Sequence, residues 1–201
     1  LEELQHESND VEAFTKTFRE KLKPRRDAGF SADMVAWIDG EPVVIDLEGN
    51  GAAIRAAAIM LLPGHDKRKL TFARSMIRKT HSEEATSLAM MYARVFRWNL
   101  DRGNPGKLLA ELIEEWPVLG LYDPDVFKRA GFDSTLWWTL PPALHIGLKA
   151  ESYDDMFEQV LAIGGDTDSI GAMAGAIGHK RWGLEGLPVD VSQRIHALRE
   201  E

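Results

Sequence analysis

The chain has 201 residues, 44% of them hydrophobic and 28% charged, which is apolar material enough for one sizeable core and a single domain over residues 1–201. Its net charge of -8 speaks against a sequence-independent nucleic-acid or anionic-membrane surface, and the absence of cysteine excludes disulfides, a thiolate nucleophile and a cysteine-based zinc site. No apolar run reaches the length of a bilayer span and the acidic opening segment lacks the pattern of a secretory signal, so the expectation is a cytoplasmic protein with neither membrane nor nucleic acid as partner.

In chain order, Ser8, Asn9 and Asp10 read as an N-cap, and Val11, Phe14, Phe18 and Leu22 as the apolar stripe of a helix ending before Pro24. Gly29, Gly40 and Pro42 surround two short apolar pieces, Met34 to Ile38 and Val43 to Ile45, where a brief strand or an irregular loop is expected. Ala52 to Leu62 turns helical. Leu70, Ala73 and Ile77, then Ala85, Leu88, Ala89, Tyr92, Val95 and Phe96, predict two more helices joined around Thr80-His81-Ser82. Pro105 starts a helix carrying Leu108, Leu109, Leu112 and Ile113, and Pro141-Pro142 opens another through Leu144, Ile146 and Leu148. Phe157, Val160 and Leu161 mark a helix leading into Gly164-Gly165, and Val191, Ile195 and Leu198 a last one after Pro188. The fold class is therefore all-α.

The run from Gly164 to Ala176 holds the chemistry. Two glycines allow a sharp turn, and Asp166, Asp168 and Ser169 then place oxygen donors where a helix begins. Such donors suit magnesium or manganese better than zinc. The competing reading is that Asp166 or Thr167 only caps the helix. Gly171, Ala172, Ala174, Gly175, Ala176 and Gly178 make the helix itself narrow, as a central helix in close contact with its neighbours would be.

Three segments line up in order: Asn50-Gly51-Ala52-Ala53-Ile54-Arg55, Thr80-His81, and Gly164-Gly165-Asp166-Thr167-Asp168-Ser169. Together they resemble the ADP-ribosylglycohydrolase family, from about Asp46 to Pro188, with Leu140-Pro141-Pro142-Ala143-Leu144 and the tail from Gly183 to Pro188 included. The resemblance implies an all-α enzyme that hydrolyses the glycosidic bond between ADP-ribose and a protein side chain or small acceptor, using a pair of magnesium or manganese ions. It implies Asp166, Asp168 and Ser169 as metal ligands, with Ser169 where the family usually has threonine, and the two aspartates as the catalytic candidates. It assigns Asn50, Gly51, Ala52 and Ala53 to a loop holding the distal part of ADP-ribose, with Gly165 also on the substrate side, and His81 to the phosphates or ribose.

One departure stands out. The family's N-terminal Thr-Asp-Asp motif is not found, and Glu7-Ser8-Asn9-Asp10 does not replace it. Three oxygens from one turn underligate a two-ion site. The expectation is a chain matching the C-terminal two-thirds of a family member, its missing ligands lying upstream, on another chain, or lost. Two functions follow: an ADP-ribosyl hydrolase acting on ADP-ribose or an ADP-ribosylated protein, or a non-catalytic helical relative with a ligand-binding, partner-binding or structural role. Of the remaining candidates, Trp137-Trp138 reads as a core anchor or an adenine platform, Arg55 as a partner of a carboxylate or a phosphate, His145 and His179 as structural or exposed, and Lys67-Arg68-Lys69 as a solvated face.

Overall fold

The computed structural model describes residues 2–41, 47–98, 100, 103–189, 191, 193 and 194, with the side chains of 2–10 outside that description. Among them run ten α-helices and no multi-residue strand. They are α1 Glu2–Leu22, α2 Ala32–Asp39, α3 Gly51–Leu61, α4 Asp66–Ile77 and α5 Glu83–Val95, then α6 Pro105–Glu115, α7 Pro124–Ala130, α8 Leu136–Lys149, α9 Tyr153–Ile163 and α10 Thr167–Trp182. Short 3₁₀ turns follow α1 and α6. No helix among the described residues is long and apolar enough to cross a membrane.

Most helices start where local chemistry predicts. Ser82, Asn104 and Ser152 each accept a hydrogen bond from the backbone three residues on, and Pro105 stands at the first position of α6. Three expectations are corrected. α1 does not begin at Ser8 to Asp10 but at Glu2, because Glu2, Glu3, Leu4 and Gln5 are strong helix formers that carry the helix through the supposed cap. Met34 to Ile38 is neither strand nor loop: Ser31 caps α2 by accepting from Met34, and Gly40, at φ 95, closes it in the left-handed conformation. Pro141 and Pro142 lie inside α8 rather than opening it. Its first turn is secured from outside by Leu136, which donates to the Glu48 carbonyl at 2.8 Å, and from within by Thr139 Oγ1, which donates to the carbonyl of the N-cap residue Thr135 at 2.9 Å. The two prolines cost that helix interior bonds which burial in the core offsets. Val43 to Ile45 and most of the last expected helix lie outside the described residues.

α10 sits at the centre, against α8, α9 and α3, while α3 also packs on α4 and α5. The main core joins Leu136, Leu140 and Leu144 of α8 to Met173 and Ile177 of α10 and to Leu88 and Tyr92 of α5. Tyr92 is fully buried and donates its hydroxyl to the Met173 carbonyl at 2.7 Å, which satisfies the one polar atom it brings inside. A satellite cluster of Met34, Trp37 and Ile38, covered by Phe18, Leu22 and Leu47, attaches α1 and α2.

Leu47 to Asn50 is the junction of the fold. Leu47 donates to the Thr80 carbonyl at 3.2 Å and accepts from Ser82 at 3.1 Å, while Asn50 donates to the Ser134 carbonyl at 2.9 Å. One extended stretch is thus held between the α4–α5 turn on one side and the entry to α8 on the other.

The small residues on α10 and α8 allow a close crossing. A methyl group on Gly147 would stand 2.9 Å from Ile177 Cδ1 and 3.2 Å from the Ala174 Cα. Gly147→Ala is therefore expected to lower stability by about 1–3 kcal/mol. Gly171→Ala, whose methyl would lie 3.7 Å from Val160, is expected to be neutral or to stabilise by up to about 1 kcal/mol. Urea denaturation of the two variants measures the contrast.

Candidate functional site

Two glycines build the turn before α10. Gly164 and Gly165 adopt φ 69 and φ 72, the left-handed region in which other residues are strained, and a Cβ on Gly165 would approach the Gly131 carbonyl to 3.0 Å. Asp166 follows as the N-cap residue of α10, but its side chain makes no capping bond. Its carboxylate accepts instead from Asn50 Nδ2 at 2.7 Å, across 116 residues of sequence. Asp166 is 5% exposed and Asn50 9%, so this is a buried charge-assisted hydrogen bond. The reading in which Asp166 serves only as a helix cap therefore fails on geometry.

Asp168 and Ser169, in the first turn of α10, act on the same carboxyl group. Burial pushes the Asp166 carboxyl above its ordinary range, a hydrogen bond with Asp168 adds to this, and Ser169 and Asn50 oppose it. Asp168 is exposed, and the same hydrogen bond with Asp166, aided by the Ser169 backbone N–H at 2.9 Å, holds its carboxyl below the ordinary range. Two adjacent carboxylates in unequal surroundings are thus pushed in opposite directions, Asp166 up and Asp168 down.

The loop residues separate into two groups. Asn50 and Gly51 stand at the mouth of α3, whereas Ala52 and Ala53 are 0% exposed in the main core, where their side chains pack rather than meet a ligand. His81 is brought to the back of Gly51: its Nε2 lies 3.9 Å from where a Gly51 Cβ would stand. The other ring nitrogen, Nδ1, lies 2.8 Å from Arg55 Nη2 and 2.9 Å from Thr80 Oγ1, and Arg55 also donates to Thr80 Oγ1 at 2.7 Å and to the Gly51 carbonyl at 3.1 Å. Arg55 thus pairs with no carboxylate among the described residues. Burial lowers its guanidinium to about 10, which leaves it charged at neutral pH. Burial first and the Arg55 charge second lower His81 to about 3, against a weaker backbone hydrogen bond to Gly49. Glu48 Oε2 and Arg55 Nη1 are buried with no hydrogen-bond partner among the described residues.

The other candidates disperse. Trp138 stacks on Phe127 at 4.2 Å and Trp137 is 37% exposed. His145 is engaged with the Leu119 carbonyl at 2.8 Å, and His179 is exposed. Lys67 and Arg68 are solvated as expected, but Lys69 turns inward to donate to the carbonyls of Met60 and Leu62, finishing α3. Residues that sequence reasoning passed over are Glu48, Ser134 and Thr135, which carry the main-chain junction and leave no side-chain signature. A cavity of about 370 Å³ between α1 and α2, lined by Lys16, Arg19 and Asp39 among others, lies away from the carboxylate pair and includes none of its residues.

The donor set suits a hard cation: two carboxylates and a hydroxyl, with no sulfur or imidazole among them. Among the described residues no group of three His, Asp, Glu or Cys side chains gathers around one point. Asp166, Asp168 and Ser169 therefore fit part of one coordination shell and not the shells of two ions.

A family model described as ADP-ribosylglycohydrolase matches residues 3–201. That span begins well before Asp46, so confinement of the resemblance to a C-terminal two-thirds is not borne out. No curated protein matches the chain.

The depressed pKa of His81 makes stability pH-dependent in a defined window. Because the folded ring resists protonation down to about 3 while the unfolded ring takes a proton near 6.5, its contribution is complete above about 6.5 and declines as the pH falls toward about 3. The decline is about 1.4 kcal/mol per pH unit from this one group. His81→Gln, whose side-chain oxygen can still accept from Arg55, is expected to flatten the fall in stability between pH 7 and pH 5, as read by chemical denaturation at both.

Proposed function

We propose that the chain, which belongs to the ADP-ribosylglycohydrolase family, is a hydrolase that cleaves the glycosidic bond between ADP-ribose and a protein side chain or small acceptor, with Asp166 and Asp168 as its reacting carboxylates. The observation that carries this reading is the 2.7 Å bond from Asn50 to Asp166. It joins the acidic turn of α10 to the Asn50-Gly51 mouth of α3, so a carboxylate pair and a glycine-bearing loop face one place.

Glycoside cleavage passes through an oxocarbenium-like state that nearby carboxylates stabilise. Asp168, exposed and held ionised, is suited to that electrostatic role. Asp166, whose burial raises its carboxyl above the ordinary range, is the member of the pair better suited to hold or pass a proton at its carboxyl oxygen. Asn50 orients Asp166 by occupying one of its acceptor positions, and Gly51 lets a ligand come against backbone where any side chain would stand in the way. A magnesium or manganese ion would be held by Asp166, Asp168 and Ser169, with water or ligand oxygens for the remainder. When bound, such an ion supplies Lewis acidity toward the ribose hydroxyls.

One observation favours a second reading, a relative that binds ligand without turning it over. No third acidic or imidazole group joins Asp166 and Asp168 among the described residues, and such a sparse site holds a cation weakly.

Calorimetric titration with ADP-ribose, with and without magnesium, tests the proposal. Magnesium-dependent binding is expected, weakened about tenfold or more by Asp166→Ala or Asp168→Ala. Binding that both substitutions leave unchanged would overturn the site assignment. Binding without release of ADP-ribose from a modified protein or small acceptor would establish the second reading.

A further inference from the structure

We infer that Arg55, together with Thr80, is the positioning residue that fixes His81 as a neutral imidazole carrying its proton on Nε2, turned toward the Gly49 to Gly51 loop. The inference deepens the reading of that loop as the ligand-facing one. It stands on donor chemistry. A guanidinium has only donors, and Arg55 Nη2 lies 2.8 Å from His81 Nδ1. Nδ1 must therefore accept, which leaves the one imidazole proton on Nε2. The two N–H bonds of Nη2 divide between Nδ1 and Thr80 Oγ1, and the Nε of the same guanidinium is tied to the Gly51 carbonyl at 3.1 Å. Arg55 is thereby fixed at both ends, on Thr80 and His81 at one and on α3 at the other.

The surroundings reinforce the arrangement. His81 is 4% exposed, and its main chain is held by Arg78, which donates to the His81 carbonyl at 3.2 Å. The charged group at the ring is a cation, Arg55, and Arg78 at the backbone is already paired with Glu83 at 3.2 Å, so a second proton on the ring would face the Arg55 charge, which no carboxylate among the described residues offsets. The face that remains is Nε2–H, which lies against a loop whose two glycines, Gly49 and Gly51, bring no side chain to it, 3.9 Å from where a Gly51 Cβ would stand. His81 so held presents a hydrogen-bond donor at neutral pH and has no free basic nitrogen. Its part in ligand recognition is then donation to an oxygen rather than proton abstraction, and Arg55 acts only through it.

Ring-nitrogen NMR of uniformly ¹⁵N-labelled protein at neutral pH tests this without any ligand. For His81 the expected pattern is an unprotonated Nδ1 and a protonated Nε2, unchanged down to pH 5. Arg55→Gln is expected to lose it, giving a mixture of the two tautomers that titrates within the same range. Arg55→Lys, which retains a cationic donor, is expected to keep more of the Nε2–H form than Arg55→Gln does. A wild-type ring protonated on Nδ1 or on both nitrogens would overturn the inference, and so would an Arg55→Gln spectrum identical to wild type. Should Arg55→Gln not fold, Thr80→Val carries the test, since removal of the hydroxyl that anchors Nη2 is expected to broaden or shift the His81 Nδ1 resonance, and an unmoved resonance counts against the inference. A correct tautomer in a protein that fails to bind ADP-ribose would remove the proposed function and leave this assignment standing.

Discussion

The buried hydrogen bond from Asn50 to Asp166 is the contact on which the arrangement of the site depends. It satisfies the acceptor of a carboxylate that has lost water and the donor of an amide that has done the same, so neither group can leave without stranding the other. Its reach is global, because Asn50 opens α3 and Asp166 opens α10, two helices that pack on one another through the centre of the molecule. The bond therefore reports correct seating of the core as much as it orients a reactive group.

Main-chain geometry prepares it. Leu47 to Asn50 is an extended stretch clamped by the α4–α5 turn and by the entry to α8, and those same hydrogen bonds supply the external anchor that lets α8 begin ahead of its two prolines. Close crossing of α8 and α10 at Gly147 and Ala174 then brings the start of α10 to that anchor. Small residues, a clamped loop and two prolines inside a helix are linked consequences of one requirement, that three chain segments meet where Asn50 and Asp166 touch.

How far all this was legible follows from where the information resides. α3 to α6 and α9 were visible because their apolar residues recur at the helical period, and the starts of α5, α6 and α9 also carry caps or proline. The Gly164-Gly165-Asp166 turn was visible because positive φ and an acidic helix start both impose residue types. α2 was not, since eight residues with an apolar majority give no clean period. The start of α8 was not, because the partner of Leu136 is a carbonyl at Glu48. The same reason hid the bond between Asn50 and Asp166, the engagement of Arg55 by Thr80 and His81, and the burial of Ala52 and Ala53. Local pattern specifies elements, whereas these contacts belong to the way the elements meet, and a motif such as Asn-Gly-Ala-Ala mixes ligand-facing and core positions that only packing can separate.

The two halves of the site divide charge in opposite senses. On the α10 side, the exposed Asp168 is held below the ordinary carboxylate range and the buried Asp166 above it. On the α3 side, a buried cation contacts a neutral imidazole and a hydroxyl and pairs with no acid among the described residues. Facing His81 and Thr80 rather than a carboxylate among the described residues, Arg55 stands behind the loop and shows the other side only a neutral imidazole. The acidic and the basic side meet because one asparagine holds the acidic turn against the start of the helix that carries the arginine.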